Sequence, residues 1–142
     1  MSVVEKVKEG AMVKKWFVES EKTEYALRVE FDDRGLVDEV EIRQTYYPIH
    51  PYSNYVSNVL KIKYVGGELP YEIEVYTVRM SWGGTSSDKV LKLRFNDYSG
   101  ETPAFLRGDV ILSIKNVEDL KEYIKDVGSW LKDLIDTTVL RR

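Results

Sequence analysis

The single histidine, His50, is the first residue to consider for chemistry, and it lies in a segment rich in proline and tyrosine. A histidine-based zinc site needs further imidazole or thiolate ligands, and this sequence has one histidine and no cysteine. The lack of cysteine also excludes disulfides, thiolate catalysis and iron–sulfur clusters. A general base needs a nucleophile beside it, and no motif supplies one. We expect His50 to be a surface histidine that stacks against a tyrosine.

Two pairs of glycines, Gly66-Gly67 and Gly83-Gly84, are candidates for phosphate-binding loops. Neither pair is followed by the lysine and the helix of such a loop, and no dinucleotide-binding fingerprint is present. Ser86 and Ser87 follow the second pair, but the next segment has the pattern of a strand and not of the helix that follows a nucleophilic serine. Both pairs are therefore predicted to be hairpin turns.

Carboxylates are abundant, and a set of them could hold Mg²⁺ or form an acid/base pair. The set consists of Glu72, Glu74, Asp97, Glu101 and Asp109. None of their spacings is diagnostic of a metal-dependent hydrolase. Glutamates that alternate along a strand also keep a sheet edge soluble and unpaired. We expect no metal, no cofactor and no enzymatic activity.

The most informative pattern combines aromatic with basic residues, since the chain has 10 Tyr, 3 Trp and 4 Phe. Single-stranded nucleic acids are bound where lysines and arginines follow the phosphates while bases stack on aromatic rings. The predicted nucleic-acid-binding residues are Tyr46, Tyr47, Tyr52, Tyr55, Lys61, Lys63, Trp82, Lys92 and Arg94. The leading hypothesis is a non-enzymatic protein that binds single-stranded nucleic acid.

The charges of the chain count against nucleic-acid binding. The net charge is −3, which lowers the expectation of nucleic-acid binding without excluding a local basic patch. Lysines that alternate with apolar residues are ordinary on a solvated sheet face. The basic strip would be neutralised if the glutamates of neighbouring strands share its face. These glutamates are Glu39, Glu41, Glu72 and Glu74.

Two other hypotheses remain open. Exposed aromatic loops anchor protein interfaces well, so the chain could be a protein-interaction module or a homo-oligomer. It could also bind a small apolar ligand between sheet and helix, with Tyr123 and Trp130 lining the pocket unless they belong to the core. A sheet–helix interface without any cavity would exclude this last hypothesis.

The elements that must position these residues are mostly strands. Alternation with a period of two, together with β-branched and aromatic residues, predicts strands over 11–19, 24–31, 36–44, 58–65, 71–80, 88–95 and 109–115. Asp32 to Gly35 has turn composition, so residues 24–44 are predicted to form a hairpin. Residues 45–57 contain two prolines and are predicted to form a long loop. Residues 81–87 are predicted to form a flexible loop.

A helix is predicted after Asn116, whose side chain can accept a hydrogen bond from the first turn. Glu118 and Asp119 place negative charge at the positive end of the helix dipole. An apolar stripe recurs at helical spacing through Val117, Leu120, Ile124, Val127, Leu131, Leu134 and Ile135. Gly128 costs about 1 kcal/mol in a helix interior relative to alanine, and we expect it to mark a close crossing over the sheet.

Together these patterns predict one α+β domain over residues 1–142. The expected architecture is a mostly antiparallel β-meander of six or seven strands packed against one amphipathic C-terminal helix. No apolar run could span a bilayer, and the first ten residues lack the pattern of a secretion signal, so we expect a cytoplasmic protein without a membrane partner. The charged fraction of 32% and the single glutamine, Gln44, suggest a thermophilic source.

Overall fold

The computed structural model describes residues 2–8, 10–49, 54–66, 69–81, 83–97 and 100–137. Its strands are β1 (Ser2–Lys8), β2 (Ala11–Val18), β3 (Thr23–Phe31), β4 (Val37–Ile49), β5 (Asn54–Val65), β6 (Leu69–Ser81) and β7 (Gly84–Arg94). A short helix α1 (Gly108–Leu112) and a long helix α2 (Val117–Thr137) follow. Single 3-10 turns lie at Glu19–Glu21, Phe95–Asp97 and Ala104–Leu106.

The seven strands form one sheet in which spatial order equals sequence order. Every neighbouring pair is antiparallel, so the sheet is a meander in which each connection joins adjacent strands. The predicted α+β class, with an antiparallel meander and one long C-terminal helix, is confirmed. The predicted hairpin over residues 24–44 corresponds to the pairing of β3 with β4.

The core lies between α2 and one face of the sheet, which we call the helix face. Alternation along the strands points apolar side chains to this face, and its buried members include Leu27, Val29, Val40, Ile42, Ile62, Ile73 and Leu93. From the helix side the core is completed by Val117, Leu120, Val127, Leu131 and Leu134. The opposite side of the sheet, which we call the open face, carries the intervening residues of each strand.

Helix α2 begins as predicted. The backbone N–H of Asp119 donates to Oδ1 of Asn116 at 2.8 Å, and the backbone N–H of Lys115 donates to Oδ2 of Asp119 at 3.2 Å. This reciprocal pair satisfies amide groups that a helix start leaves without partners. Among the described residues, no helix is long and apolar enough to cross a membrane.

The prediction of a long loop over residues 45–57 is wrong. β4 continues to Ile49 and β5 begins at Asn54, with Thr45 opposite Ser57 in an unbroken register. Tyrosine and threonine favour strands, and this preference wins over the proline signal. Pro48 is tolerated because the pairing of β4 with β5 becomes irregular beyond Tyr46.

The prediction of a strand over residues 109–115 is also wrong, because this segment contains α1. Ile111 and Ile114 are three residues apart and both are buried, together with Leu106 just before them. A helical turn brings residues at this spacing to one side, whereas a strand would point them to opposite sides. Packing against the core therefore overrides the strand preference of Val110 and Ile111.

Two further differences concern the ends of strands. The loop predicted over residues 81–87 is shorter, since β6 extends to Ser81 and β7 begins at Gly84. The N-terminal strand β1 pairs with β2 but was not predicted, because its charged residues conceal the alternation.

Candidate functional site

A cavity of about 130 Å³ lies between the sheet and α2 and opens to solvent. Its floor is a cross-strand row of Ile42, Leu60 and Val75, which pair in register on β4, β5 and β6. Its roof is the stretch of α2 that contains Ile124, Val127, Gly128 and Leu131. The lining is almost entirely apolar, so the sheet–helix interface is not packed solid.

The cavity is closed at one end and open at the other. Beyond its floor in one direction the sheet positions Val40, Ile62 and Ile73 are fully buried. In the other direction Gln44 and Asn58 pair across β4 and β5, and Asn58 is exposed. Ligand pockets commonly combine apolar walls with a few polar groups that fix orientation, and this cavity has that composition.

Gly128 does not mark a close crossing of helix and sheet, contrary to the prediction. A Cβ atom built on Gly128 would meet no heavy atom within 4 Å. The glycine therefore leaves space beside the cavity and is not required by a tight contact. Its cost in helix propensity, about 1 kcal/mol relative to alanine, is not offset by closer packing.

Near Gln44, the side chains of Tyr25, Glu21 and Lys121 form a network that joins the sheet to α2. The Tyr25 hydroxyl donates to Oε1 of Glu21 at 2.6 Å, and the Lys121 ammonium binds the other oxygen of that carboxylate. Burial raises the pKa of Tyr25 well above its ordinary value, the Glu21 carboxylate adds to this effect, and the Gln44 side chain counteracts it. The hydrogen bonds from Lys121 and Tyr25 lower the pKa of Glu21. Gln44 therefore lies next to the Tyr25 hydroxyl at the edge of the cavity.

Tyr123 and Trp130, the residues predicted to line a pocket, do not line this cavity. Tyr123 is buried, and its hydroxyl donates to the backbone carbonyl of Phe105 at 2.9 Å. Trp130 stacks parallel to Phe95 with ring centroids 6.1 Å apart. Both rings pack with the core, and the pocket opens where the helix carries aliphatic side chains and glycine.

The open face brings together the predicted basic strip. In the register of the sheet, Lys63 of β5, Glu72 of β6 and Arg94 of β7 form one cross-strand row. The next row consists of Lys61, Glu74 and Lys92. The four basic residues therefore share a face, but β6 places a glutamate between each pair of them.

Glu72 is the centre of this group. Its side chain is 8% exposed and lies 3.5–3.6 Å from the charged nitrogens of Lys63, Lys92 and Arg94. Burial acts to raise the pKa of Glu72, but Lys92, Lys63 and Arg94 outweigh it, and the pKa lies below its ordinary value. The pKa of Lys63 is raised, chiefly by the Glu72 charge.

Further pairs neutralise the rest of the strip. Glu41 lies 4.0 Å from the Lys61 ammonium and 3.6 Å from the Arg43 guanidinium, and Glu74 lies 3.2 Å from the Lys89 ammonium. The open face is thus a lattice of alternating charges, in which the glutamates of neighbouring strands share the face of the basic strip and neutralise it. It differs from the uncompensated basic groove that usually follows a phosphate backbone.

The predicted tyrosines divide between the two faces. Tyr47 and Tyr55 lie on the open face with ring centroids 6.0 Å apart, whereas Tyr46 is on the helix face and 46% exposed. Tyr55 is six residues from Lys61 along β5, or about 20 Å at the rise of a strand. Tyr76 was not predicted, yet its ring centroid lies 5.8 Å from the Lys61 ammonium. The predicted residues Tyr52 and Trp82, and also His50, lie outside the described residues.

Within the described ranges, no group of three or more His, Asp or Glu side chains is arranged to hold a metal ion. Comparisons of the chain with protein-family models, with curated proteins and with solved structures found no match. What this protein binds is therefore inferred from the geometry of its own surfaces.

Proposed function

We propose that this chain is a non-enzymatic binding protein that holds a small apolar molecule in the cavity between the sheet and α2. The observation that supports the proposal is the cavity itself, with its aliphatic lining and one open end at Asn58. A well-packed core would fill such a space, because voids forfeit dispersion contacts. A ligand that fills it would restore those contacts.

The transfer of methylene groups from water gives the proposal a measurable signature. Each buried CH₂ contributes about 0.8 kcal/mol, which corresponds to about a fourfold gain in affinity. For uncharged primary alcohols from butanol to octanol, affinity should rise by that factor per carbon until the cavity is full. Binding at a nonspecific surface patch would not reach a plateau set by the cavity volume.

The test is a titration of the protein with these alcohols, followed by methyl NMR shifts and by calorimetry. The Val127 and Leu131 methyl groups should move, while those of the exposed Val65 and Val90 should not. Absence of binding for every alcohol, or equal shifts at exposed and lining methyls, would refute the proposal.

Two variants reduce the cavity from opposite sides. Gly128→Leu adds a side chain to the roof and Val75→Phe adds volume to the floor, and each should weaken octanol binding about tenfold or more. Ser129→Leu is the matched control, because Ser129 is exposed on the same helix and does not line the cavity. The control should bind octanol with the affinity of the unchanged protein.

Binding of single-stranded nucleic acid to the open face is the second candidate, and the convergence of Lys61, Lys63, Lys92 and Arg94 favours it. The glutamate lattice predicts that such binding is weak and confined to low salt, since only a surplus of cations can release counterions. Fluorescence anisotropy with single- and double-stranded oligonucleotides at about 20 and 150 mM salt tests this. Changing Lys61 and Lys63 to glutamate should abolish binding, and Glu72→Gln should tighten it. No binding at low salt, or no effect of these changes, would exclude the candidate.

A further inference from the structure

On the helix face, two further cross-strand rows lie beyond the apolar floor of the cavity, and both contain polar or charged side chains. Moving toward the open end, the next cross-strand row is polar and consists of Gln44, Asn58 and Thr77. The Thr77 hydroxyl donates to Oδ1 of Asn58 at 3.3 Å. The row after that consists of Tyr46, Val56 and Arg79. Along β6 the sequence of side chains on this face is therefore apolar, hydroxyl and cationic.

Arg79 differs from the other arginines of the sheet in its ion pairing. It is exposed, and in the part of the chain that the structure describes no carboxylate lies within ion-pair distance of it. Arg28, Arg43 and Arg94, by contrast, each have a glutamate partner. Asp88 of β7 lies in register with Thr77, one row away, and forms no ion pair with Arg79. Arg79 thus offers a free guanidinium at the open end of an apolar cavity.

We infer that the ligand is an anionic amphiphile of the medium-chain carboxylate class, with its alkyl tail in the cavity and its carboxylate beside Arg79. This inference rests on the proposed apolar-ligand function and specifies the chemistry of the ligand. Val75 and Arg79 are four residues apart on β6, which is about 13 Å at the rise of a strand. An extended chain of about ten carbons spans that distance, and the flexible stem of Arg79 can bring its guanidinium within reach of a shorter chain such as octanoate.

Each part of such a ligand has a matching surface. The tail contacts Ile42, Leu60 and Val75 below and the aliphatic stripe of α2 above. The carboxylate accepts hydrogen bonds from the guanidinium, whose fork geometry suits two carboxylate oxygens. Tyr46 lies in the same row as Arg79, two strands away, and is 46% exposed. Charge selection at Arg79 is local, since the chain as a whole is acidic.

The experiment compares octanoate with 1-octanol by calorimetry at neutral pH, on the unchanged protein and on Arg79→Gln. Octanoate should bind about fivefold more tightly than octanol, the factor expected for a solvent-accessible ion pair. Arg79→Gln should remove this preference and leave octanol affinity unchanged. Arg28→Gln is the control, because it removes the same charge from the open face and should alter neither affinity.

The outcomes separate this inference from the function on which it rests. Equal affinities for octanoate and octanol that do not respond to Arg79→Gln would overturn the carboxylate assignment and leave the apolar cavity as a binding site. A preference for octanoate that survives Arg79→Gln would also overturn the assignment of Arg79. Absence of binding for both compounds would overturn the proposed function itself.

Discussion

Replacement of Gly128 by alanine should stabilise the protein by about 1 kcal/mol, although it changes a residue beside the cavity. Glycine in a helix interior is less favourable than alanine by about 0.8–1.0 kcal/mol, because it loses more backbone entropy on folding. A Cβ atom at this position meets no heavy atom within 4 Å, so no steric cost reduces the gain. The full propensity difference should therefore appear in the free energy of unfolding.

The magnitude converts into an observable shift of the melting temperature. With an unfolding entropy of about 2.1 cal/mol/K per residue, a chain of this length has a total of about 0.3 kcal/mol/K near 60 °C. A gain of about 1 kcal/mol then raises the melting temperature by about 3 °C. Urea unfolding should show a higher midpoint with an unchanged slope, since the surface exposed on unfolding is the same.

The matched control is Ser129→Ala, which changes the neighbouring exposed residue of α2. Its gain should be smaller, about 0.5 kcal/mol, because serine is a better helix former than glycine. If Gly128→Ala instead lowers the stability while Ser129→Ala raises it, then α2 and the sheet approach each other too closely for a methyl group. That result would refute the assignment of open space beside Gly128 and weaken the case for the cavity.

Three further changes test other parts of the fold. Glu72→Gln should cost about 1–2 kcal/mol at neutral pH, because three cations lose their shared carboxylate. The pKa of Glu72 in the folded protein lies below its unfolded value of 4.5, so this stabilisation is present above pH 4.5 and is lost as the pH falls through the folded pKa. In urea unfolding at a series of acidic pH values, the stabilities of the unchanged protein and of Glu72→Gln should therefore converge. Tyr64→Phe should lower the free energy of unfolding by about 1–2 kcal/mol in thermal unfolding, because the buried hydroxyl donates to the Leu106 carbonyl at 2.6 Å. An unchanged stability would show that this hydrogen bond contributes nothing. Asn116→Ala should cost about 1 kcal/mol through loss of the helix cap, whereas Asn116→Asp should retain most of the stability, both measured by circular dichroism in urea.

The sequence is informative where one face of an element is buried and the other is solvated. β3 alternates cleanly between buried and more exposed residues, and α2 has both a capping residue and an apolar stripe, so each was predicted close to its observed bounds. The prediction of a loop over residues 45–57 fails because proline is a strong local signal, whereas the pairing that overrides it comes from another strand. The prediction of a strand over residues 109–115 fails because only the packed core shows that Ile111 and Ile114 face the same way.

The candidate site was predictable only in outline. A pocket between sheet and helix was one of the open hypotheses, but its lining depends on which helix residues oppose the row of Ile42, Leu60 and Val75. Gly128 is the one sign of the cavity in the sequence, but a glycine in a helix indicates a close contact and open space equally well. On the open face, the alternation of lysines and glutamates was visible, but their pairing follows from the register between strands, which a single sequence does not contain.

The order of elements has a consequence for synthesis on the ribosome. In a meander each strand finds its partner immediately before it in the chain, so hairpins can form one after another as they emerge. The cover of the helix face is made later, because α2 ends about 40 residues after β7. At 5–20 residues per second, translation of that stretch takes roughly 2–8 seconds. During this interval the nascent sheet presents its apolar face without α2, which makes it a substrate for the chaperones that bind exposed hydrophobic surface.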